Sequence, residues 1–262
     1  MTSPGFNESA VVPKRELFLD KAFMIVGVPG VGFVSKLAVD QLIRATKAER
    51  VATLYSPHYP NQTLALQKGK LKAFTTNFYY SRVKGFDLVF MKSDLQPLTV
   101  EGQYEVAAKA VEYFKSIGGR TVFSFAGYAN PGVKKPGIIA STTSKKLFEA
   151  LSDYGAKKPP VKVIPIIGLA GLVPSIARVH GLHGACLLVE TTGATLDAKA
   201  AKNAVSFLSE IVGEKIDVKG IDERARNAER VLKQFQSQQK PQPAIAPSGA
   251  PAASDDNLSY IH

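Results

Sequence analysis

Residues 23–38 form an apolar run that a Gly-Val-Pro-Gly turn interrupts before it resumes with helical spacing. The part before the turn is typical of a buried strand, and the part after it is typical of a helix. We expect Gly27, Gly30 and Gly32 to be required by positive φ or by close approach of the backbone to another group. The helix N-terminus that follows makes Gly27, Pro29, Gly30 and Gly32 a candidate anion or ligand loop.

Two nucleotide-binding patterns can be tested on the spacing of this loop. Gly27 and Gly32 have the glycine spacing of a Walker loop, but an apolar pair follows where Lys and Ser/Thr are required. The dinucleotide pattern that starts at Gly30 has Ser35 in place of its third glycine. The residues favour a structural turn and predict no cofactor. A phosphate- or nucleotide-binding enzyme that uses this loop remains an alternative.

Strands and helices alternate along the chain. Strands are predicted at residues 23–28, 50–55, 71–80, 87–91, 121–125, 161–167 and 185–190. Helices are predicted at residues 32–45, 100–117, 142–154, 174–180, 197–212 and 222–236. Apolar strands with few alternating polar residues are typical of a sheet covered on both faces. The pattern predicts a three-layer α/β sandwich around a mainly parallel mixed sheet.

The length of 262 residues fits one α/β domain with a tail. We place an N-terminal segment at residues 1–18, the domain at 19–236, a disordered linker at 237–257 and an anchor at 258–262. A single cysteine excludes an intramolecular disulfide, and no long apolar run or leader pattern is present. These features predict a cytoplasmic protein with no membrane partner.

The residues that could suggest catalysis do not form a complete catalytic or metal-binding motif. His180 and His183 flank a predicted turn, and no further ligand in the sequence completes a tetrahedral site with them. Cys186 lies among leucines, and no Gly-x-Ser-x-Gly elbow occurs. We therefore predict no catalytic residue, no metal and no enzymatic activity.

The chain carries 33 Lys and Arg against 22 Asp and Glu, a formal net charge of +11. The lysine pairs are spread along the sequence without the aromatic residues of a single-strand-binding surface. This favours a solvated basic surface. Attraction to an acidic protein ring or to RNA is the functional alternative.

The composition changes after Gln236. Residues 237–257 are rich in Pro, Gln, Ala and Ser, and cannot bury enough surface to order themselves. An apolar cluster returns at the end of the chain, in Leu258, Tyr260 and Ile261, followed by His262. A hydrophobic tip on a linker predicts a docking anchor whose partner-binding residues are these four.

Three separated motifs resemble the proteasome assembly chaperone family in its archaeal and bacterial branch. They are the strand and glycine turn at residues 25–37, the Asp-x-Gln-Pro element at 94–97, and the glycine-rich element at 171–191. The similarity covers residues 19–213. It implies a fold similar to purine nucleoside phosphorylase-like folds and a non-enzymatic, homo-oligomeric assembly chaperone or adaptor of the proteasome core particle.

Some members of that family carry a terminal hydrophobic-tyrosine-any motif that inserts into the proteasome α-ring. Here Tyr260 is third from the end, and Ile261 occupies the penultimate position. The resemblance therefore implies an α-ring partner with a shifted motif. Before the linker, apolar residues recur at intervals of four and three, which predicts either packing on the domain or an oligomer contact; they are Ile221, Ala225, Ala228, Leu232 and Phe235.

Overall fold

The structure is a computed structural model that describes residues 7–66, 69–132, 136–193 and 196–238, with only the backbone described for 231–238. The described strands are β1 (Ala10–Pro13), β2 (Ala22–Gly27), β3 (Glu49–Tyr55), β4 (Thr63–Leu66), β5 (Lys70–Ala73), β6 (Thr76–Val83), β7 (Phe86–Ser93), β8 (Gly119–Ala129), β9 (Ile138–Thr142) and β10 (His183–Thr191). The described helices are α1 (Val34–Ala45), α2 (Val100–Ser116), α3 (Lys145–Ser152), α4 (Leu169–Val179), α5 (Ala198–Val212) and α6 (Ile221–Gln238).

An eight-stranded sheet forms the middle of the described domain, in the order β1-β3-β6-β7-β2-β8-β10-β9. Its central strands β7, β2, β8 and β10 pair in parallel. The remaining pairs, toward both edges, are antiparallel. Because the parallel strands run the same way, their carboxyl ends meet at one edge, where the loops after β2, β7, β8 and β10 come together.

Helices cover both faces of the sheet. On one face the core contains Ile25 of β2 with side chains of α1 and α5. On the other it contains Met24 and Val26 of the same strand with side chains of α2 and α4. Successive residues of β2 therefore enter different layers, as the pleat requires. The predicted three-layer α/β sandwich is confirmed, and its parallel pairs are the central ones.

Some element predictions differ from the structure. The predicted strand at 71–80 is divided between β5, which pairs with β4 in a hairpin, and β6 of the main sheet. β1 pairs with β3, so the sheet includes residues of the predicted N-terminal segment. Residues 161–167 form no strand in the described chain. The apolar run that predicts this strand contains Pro165 and follows Pro159 and Pro160, which have no N–H to give a ladder.

The start of α6 packs on its own domain. Ile221 is fully buried and Ala225 almost so, in the core that includes α1 and α5. This favours domain packing over an oligomer contact for the first turns of the predicted seam. The side chains of Leu232 and Phe235 lie outside the described residues. Within the described chain, no helix is both long and apolar enough to cross a bilayer.

Candidate functional site

The three glycines of the loop after β2 have different roles. A Cβ on Gly27 would lie 2.4 Å from the Cβ of Val39 on α1, so this glycine permits close helix–strand packing. Gly32 has φ +63°, the left-handed region that favours glycine. Gly30 is extended, with φ −171°, and a Cβ added there would have no atom within 4 Å. Our expectation that Gly30 requires a glycine is therefore wrong, because its backbone is extended and an added Cβ meets no atom there.

The amides near the helix N-terminus are used within the loop. The N–H of Phe33 donates to Gly30 O over 2.9 Å, and that of Val34 donates to Val31 O. Ser35, the residue in the third-glycine position, is buried and donates its hydroxyl to Val26 O at 3.0 Å. These internal hydrogen bonds occupy N–H groups that a phosphate-binding loop would leave free to bind the phosphate. This arrangement supports the structural-turn interpretation.

Two lysines close to the loop are already paired with a carboxylate. Asp40 on α1 lies 2.6 Å from the Nζ of Lys92 and 3.5 Å from the Nζ of Lys36. Burial lowers the pKa of Lys36 despite the attraction of Asp40. For Lys92, burial acts in the same direction, but the Asp40 carboxylate outweighs it and raises the pKa. The cluster stabilises the contact between α1 and β7.

Gln96, in the second motif, connects the glycine loop of the first motif to the start of α4. Its Nε2 donates to Pro29 O in the glycine loop over 2.7 Å, and its Oε1 accepts from the N–H of Leu169 at 2.9 Å. Gly168, with φ +82°, lies against it, because a Cβ there would be 2.2 Å from Gln96 Oε1. One amide side chain therefore joins the glycine loop to the start of α4. The sequence motif contained this residue, but its role required the tertiary structure.

The third motif reaches the same loop through Thr191 and Asp197. Thr191 donates its hydroxyl to Asp197 Oδ2 at 2.6 Å, and the N–H of Asp197 donates to Gly32 O over 2.8 Å. Asp197 also caps α5 by accepting from the N–H of Ala200 at 2.9 Å. The three motifs thus converge at the carboxyl edge of the sheet, where hydrogen bonds lock their loops together.

A cavity of about 340 Å³ opens beside this junction. Its wall has no Asp, Glu, Lys, Arg or His; the lining residues are Val28, Pro29, Gly30, Val31, Ser35, Gln96, Phe125, Ala126, Gly127, Tyr128, Ile164, Pro165, Ile166, Ile167, Ala170 and Leu188. A Cβ on Gly127 would lie 2.2 Å from Val31 O, so β8 contacts the loop directly. Such a cavity suits apolar side chains and offers no charged group to a phosphate.

The remaining catalytic candidates do not form a shared centre. Cys186 is buried, and that burial raises the pKa of its thiol to about 11. Glu190 holds the ends of one loop by accepting from Asn130 and from the N–H of Gly137. Among the described residues, no group of three or more His, Cys, Asp or Glu could hold a metal ion.

Sequence reasoning also missed a polar cluster at the start of α2. His58 lies 3.1 Å from Glu105 through its Nε2 and 3.3 Å from the hydroxyl of Thr99 through its Nδ1. Glu105 accepts from the N–H of Ser9, which brings the start of β1 to α2. Gly102 lies against His58, since a Cβ would be 2.3 Å from the His58 Cβ. No spacing in the sequence relates these residues.

The fold and its three motifs match those of a known protein family. The model of the PAC2 family matches residues 24–236, which is most of the chain and includes all three converging motifs. The chain belongs to the PAC2 family. The predicted resemblance to the proteasome assembly chaperone family is thereby confirmed. An uncharacterized protein of Methanocaldococcus jannaschii is 27% identical over 247 residues, covering 93% of each chain.

Solved structures share the PAC2 fold. Pyrococcus furiosus PbaB, an archaeal proteasome activator, has a TM-score of 0.78 and 30% identity, covering 88% of this chain and 99% of its own. Pyrococcus furiosus PbaA, an archaeal homolog of proteasome-assembly chaperone, has a TM-score of 0.72 and 25% identity, covering 88% and 97%. The PAC2 model ends at residue 236, before the predicted anchor. Leu258, Tyr260, Ile261 and His262 lie outside the described residues.

Proposed function

We propose that this PAC2 protein is a cytoplasmic, homo-oligomeric assembly chaperone or adaptor of the proteasome core particle, without enzymatic activity. The observation that carries the proposal is the likeness of its whole domain to PbaB, a proteasome activator, at 30% identity and a TM-score of 0.78. The converging motifs support it, because their polar groups bond to one another and so build a scaffold.

The proposed contact with the core particle is made by residues 258–262. Leu258, Tyr260 and Ile261 provide apolar surface, and the linker provides reach. One five-residue anchor binds weakly, so several anchors on one oligomer are needed to raise the effective concentration into the range of about 1 mM and increase avidity. The proposed ring partner is the α-ring.

The test compares intact protein with a variant that lacks residues 258–262 in a surface-binding assay against purified core particle. We expect deletion to abolish binding, and Tyr260→Ala to remove most of it because the largest apolar surface is lost. A variant with residues 241–254 shuffled at constant length is the control, since a tether contributes reach and no contacts. Equal binding by the deleted and intact proteins would contradict the anchor and assign the contact to the domain.

A further inference from the structure

Residues 157–167 lie between α3 and α4 outside helix and strand, apart from a bridge at Lys157, and the side chains of residues 163–167 alternate between exposed and half-buried. Ile164 and Ile166 pack toward Ile139 of β9 and Leu188 of β10. Val163 and Ile167, which flank this pair, are 77% and 87% exposed, and Pro165 between the two isoleucines is exposed as well. A period of two is the side-chain pattern of a strand. The sequence predicts a strand here from its apolar run, without an alternation of apolar and polar residues. We call residues 157–167 the basic-apolar segment.

The basic-apolar segment has no strand partner beyond its first residue. Lys157 bridges to β9 through hydrogen bonds with Ile138 and Ala140. From residue 159 to 167, no backbone group hydrogen-bonds to another described residue. Pro159, Pro160 and Pro165 carry no N–H, so the available donors are those of residues 161–164, 166 and 167. These unpaired N–H groups, with the unpaired C=O groups and the apolar side chains beside them, are a template for a short added strand.

The charge of this surface is positive. Lys157, Lys158 and Lys162 lie in the segment itself. Glu190 is an acidic group beside it, since Glu190 Oε2 and Lys157 Nζ lie 2.9 Å and 3.8 Å from the position of a Cβ on Gly137. Lys158 contacts the ring of Phe148. None of the three lysines forms an ion pair within the part of the chain that the structure describes. An extended peptide that carries apolar side chains and negative charge would match both features.

Residues 255–262 of this chain have that composition. Asp255 and Asp256 precede the apolar Leu258, Tyr260 and Ile261. In an extended conformation Leu258 and Tyr260 lie on the same side, two residues apart, while the exposed Val163 and Ile167 are four residues apart with the exposed Pro165 between them. The charges are complementary to the three lysines, and the side chains suit the uncharged cavity that Ile164, Ile166 and Ile167 help to line.

The reach of the chain permits this contact. Sixteen residues, 239–254, separate α6 from Asp255. Fully extended they span up to about 53 Å, compared with a diameter of ~45 Å for a compact domain of this size. As a flexible chain these sixteen residues have an r.m.s. span of about 20–24 Å. A site within that span meets residues 255–262 at an effective concentration of about 1 mM, so a contact with a Kd below about 1 mM is mostly occupied.

We propose that residues 255–262 add to the basic-apolar segment as an extended strand and dock their apolar side chains at its cavity. The site is a peptide-binding site for an acidic, apolar segment, and its occupant is the chain's own anchor. Docking there withholds the anchor from other partners. The proposal uses the residues of the predicted anchor but does not depend on what they bind elsewhere.

The first experiment measures fluorescence anisotropy of a labelled peptide with the sequence of residues 255–262, added to protein truncated after residue 254. We expect saturable binding that weakens several-fold between about 0.05 M and 0.5 M salt, because surface charges are screened. Full-length protein should bind the peptide several-fold more weakly, since its own segment competes at an effective concentration of about 1 mM. A scrambled peptide and a peptide N-methylated at Tyr260 should both bind worse.

Matched variants locate the site on the truncated protein. Val163→Ser with Ile167→Ser, and separately Lys158→Gln with Lys162→Gln, should each weaken peptide binding at least fivefold. The controls are Val179→Ser on α4, a valine that is 83% exposed, and Lys146→Gln on α3. No peptide binding to the truncated protein at low salt, or equal loss in the control variants, would overturn the proposal.

Hydrogen exchange tests the contact within the intact chain. We expect the amides of residues 161–164, 166 and 167 to exchange at least threefold faster after truncation at residue 254, since the added strand no longer protects them. Unchanged exchange would overturn docking in the intact protein. No core particle is present in these measurements, so their failure and the failure of the proposed function are separate results.

Discussion

Gly27 and Gly30 lie three residues apart in one loop and differ in their tolerance for a side chain. Gly27→Ala places a methyl group against the Val39 side chain, and overpacking of this kind costs about 1–3 kcal/mol. Gly30→Ala enters open space on an extended backbone, so we expect the free energy of unfolding to stay within about 0.5 kcal/mol or to rise slightly. Urea denaturation of the two variants measures this difference. Equal destabilisation would contradict the assigned geometry.

Gln96 is the residue on which the junction of the three motifs depends. Gln96→Ala leaves Pro29 O and the Leu169 N–H without their partner, and we expect a loss of about 1–3 kcal/mol in the free energy of unfolding. Gln62→Ala is the matched control, because Gln62 is exposed. If both variants unfold at the same urea concentration as the native chain, Gln96 does not hold the junction.

At the scale of elements, Glu105 connects α2 to the start of β1 and to the loop of His58. Burial would raise the pKa of this carboxyl, but hydrogen bonds from Ser9 and His58 outweigh it and lower the pKa below 4.5. A lowered pKa in the folded state means that the stabilisation is complete above the unfolded value, near pH 4.5, and is lost as pH falls through the folded value. The contact therefore weakens in acid.

Glu105→Gln is expected to lower the free energy of unfolding at pH 7 and to flatten its decline below about pH 5. The difference from the native chain should shrink toward pH 3. Glu112→Gln, at a more exposed site on the same helix, should leave the acid part of the curve unchanged. Denaturant titrations from pH 3 to 7 provide the measurement. If the difference in the free energy of unfolding between Glu105→Gln and the native chain stays constant with pH, the charge of Glu105 does not stabilise the fold.

In the whole molecule, we expect the stability of the folded domain to be independent of the residues that follow it. Ile221 and Ala225 of α6 are the last buried core residues in the described part of the chain. Truncation after residue 254 is expected to change Tm by less than about 2 °C and to leave the oligomeric state unchanged, because a five-to-ten-residue contact at an effective concentration of about 1 mM contributes little to global unfolding. Calorimetry and light scattering measure the two quantities. A large drop in either would show that the tail belongs to the core or to the oligomer.

The fold class, the run from β2 into α1 and the family can be predicted from the sequence, because apolar periodicity and the three motifs are local signals. The hydrogen bonds of Gln96 to Pro29 and of Asp197 to Gly32 cannot, since bonds between distant loops follow from which strands pair in parallel. The sequence also predicts a strand at residues 161–167, from an apolar run. The structure shows this segment outside the ladder with its backbone unpaired among the described residues, because an apolar run reports that side chains can be buried and not which strand lies beside them.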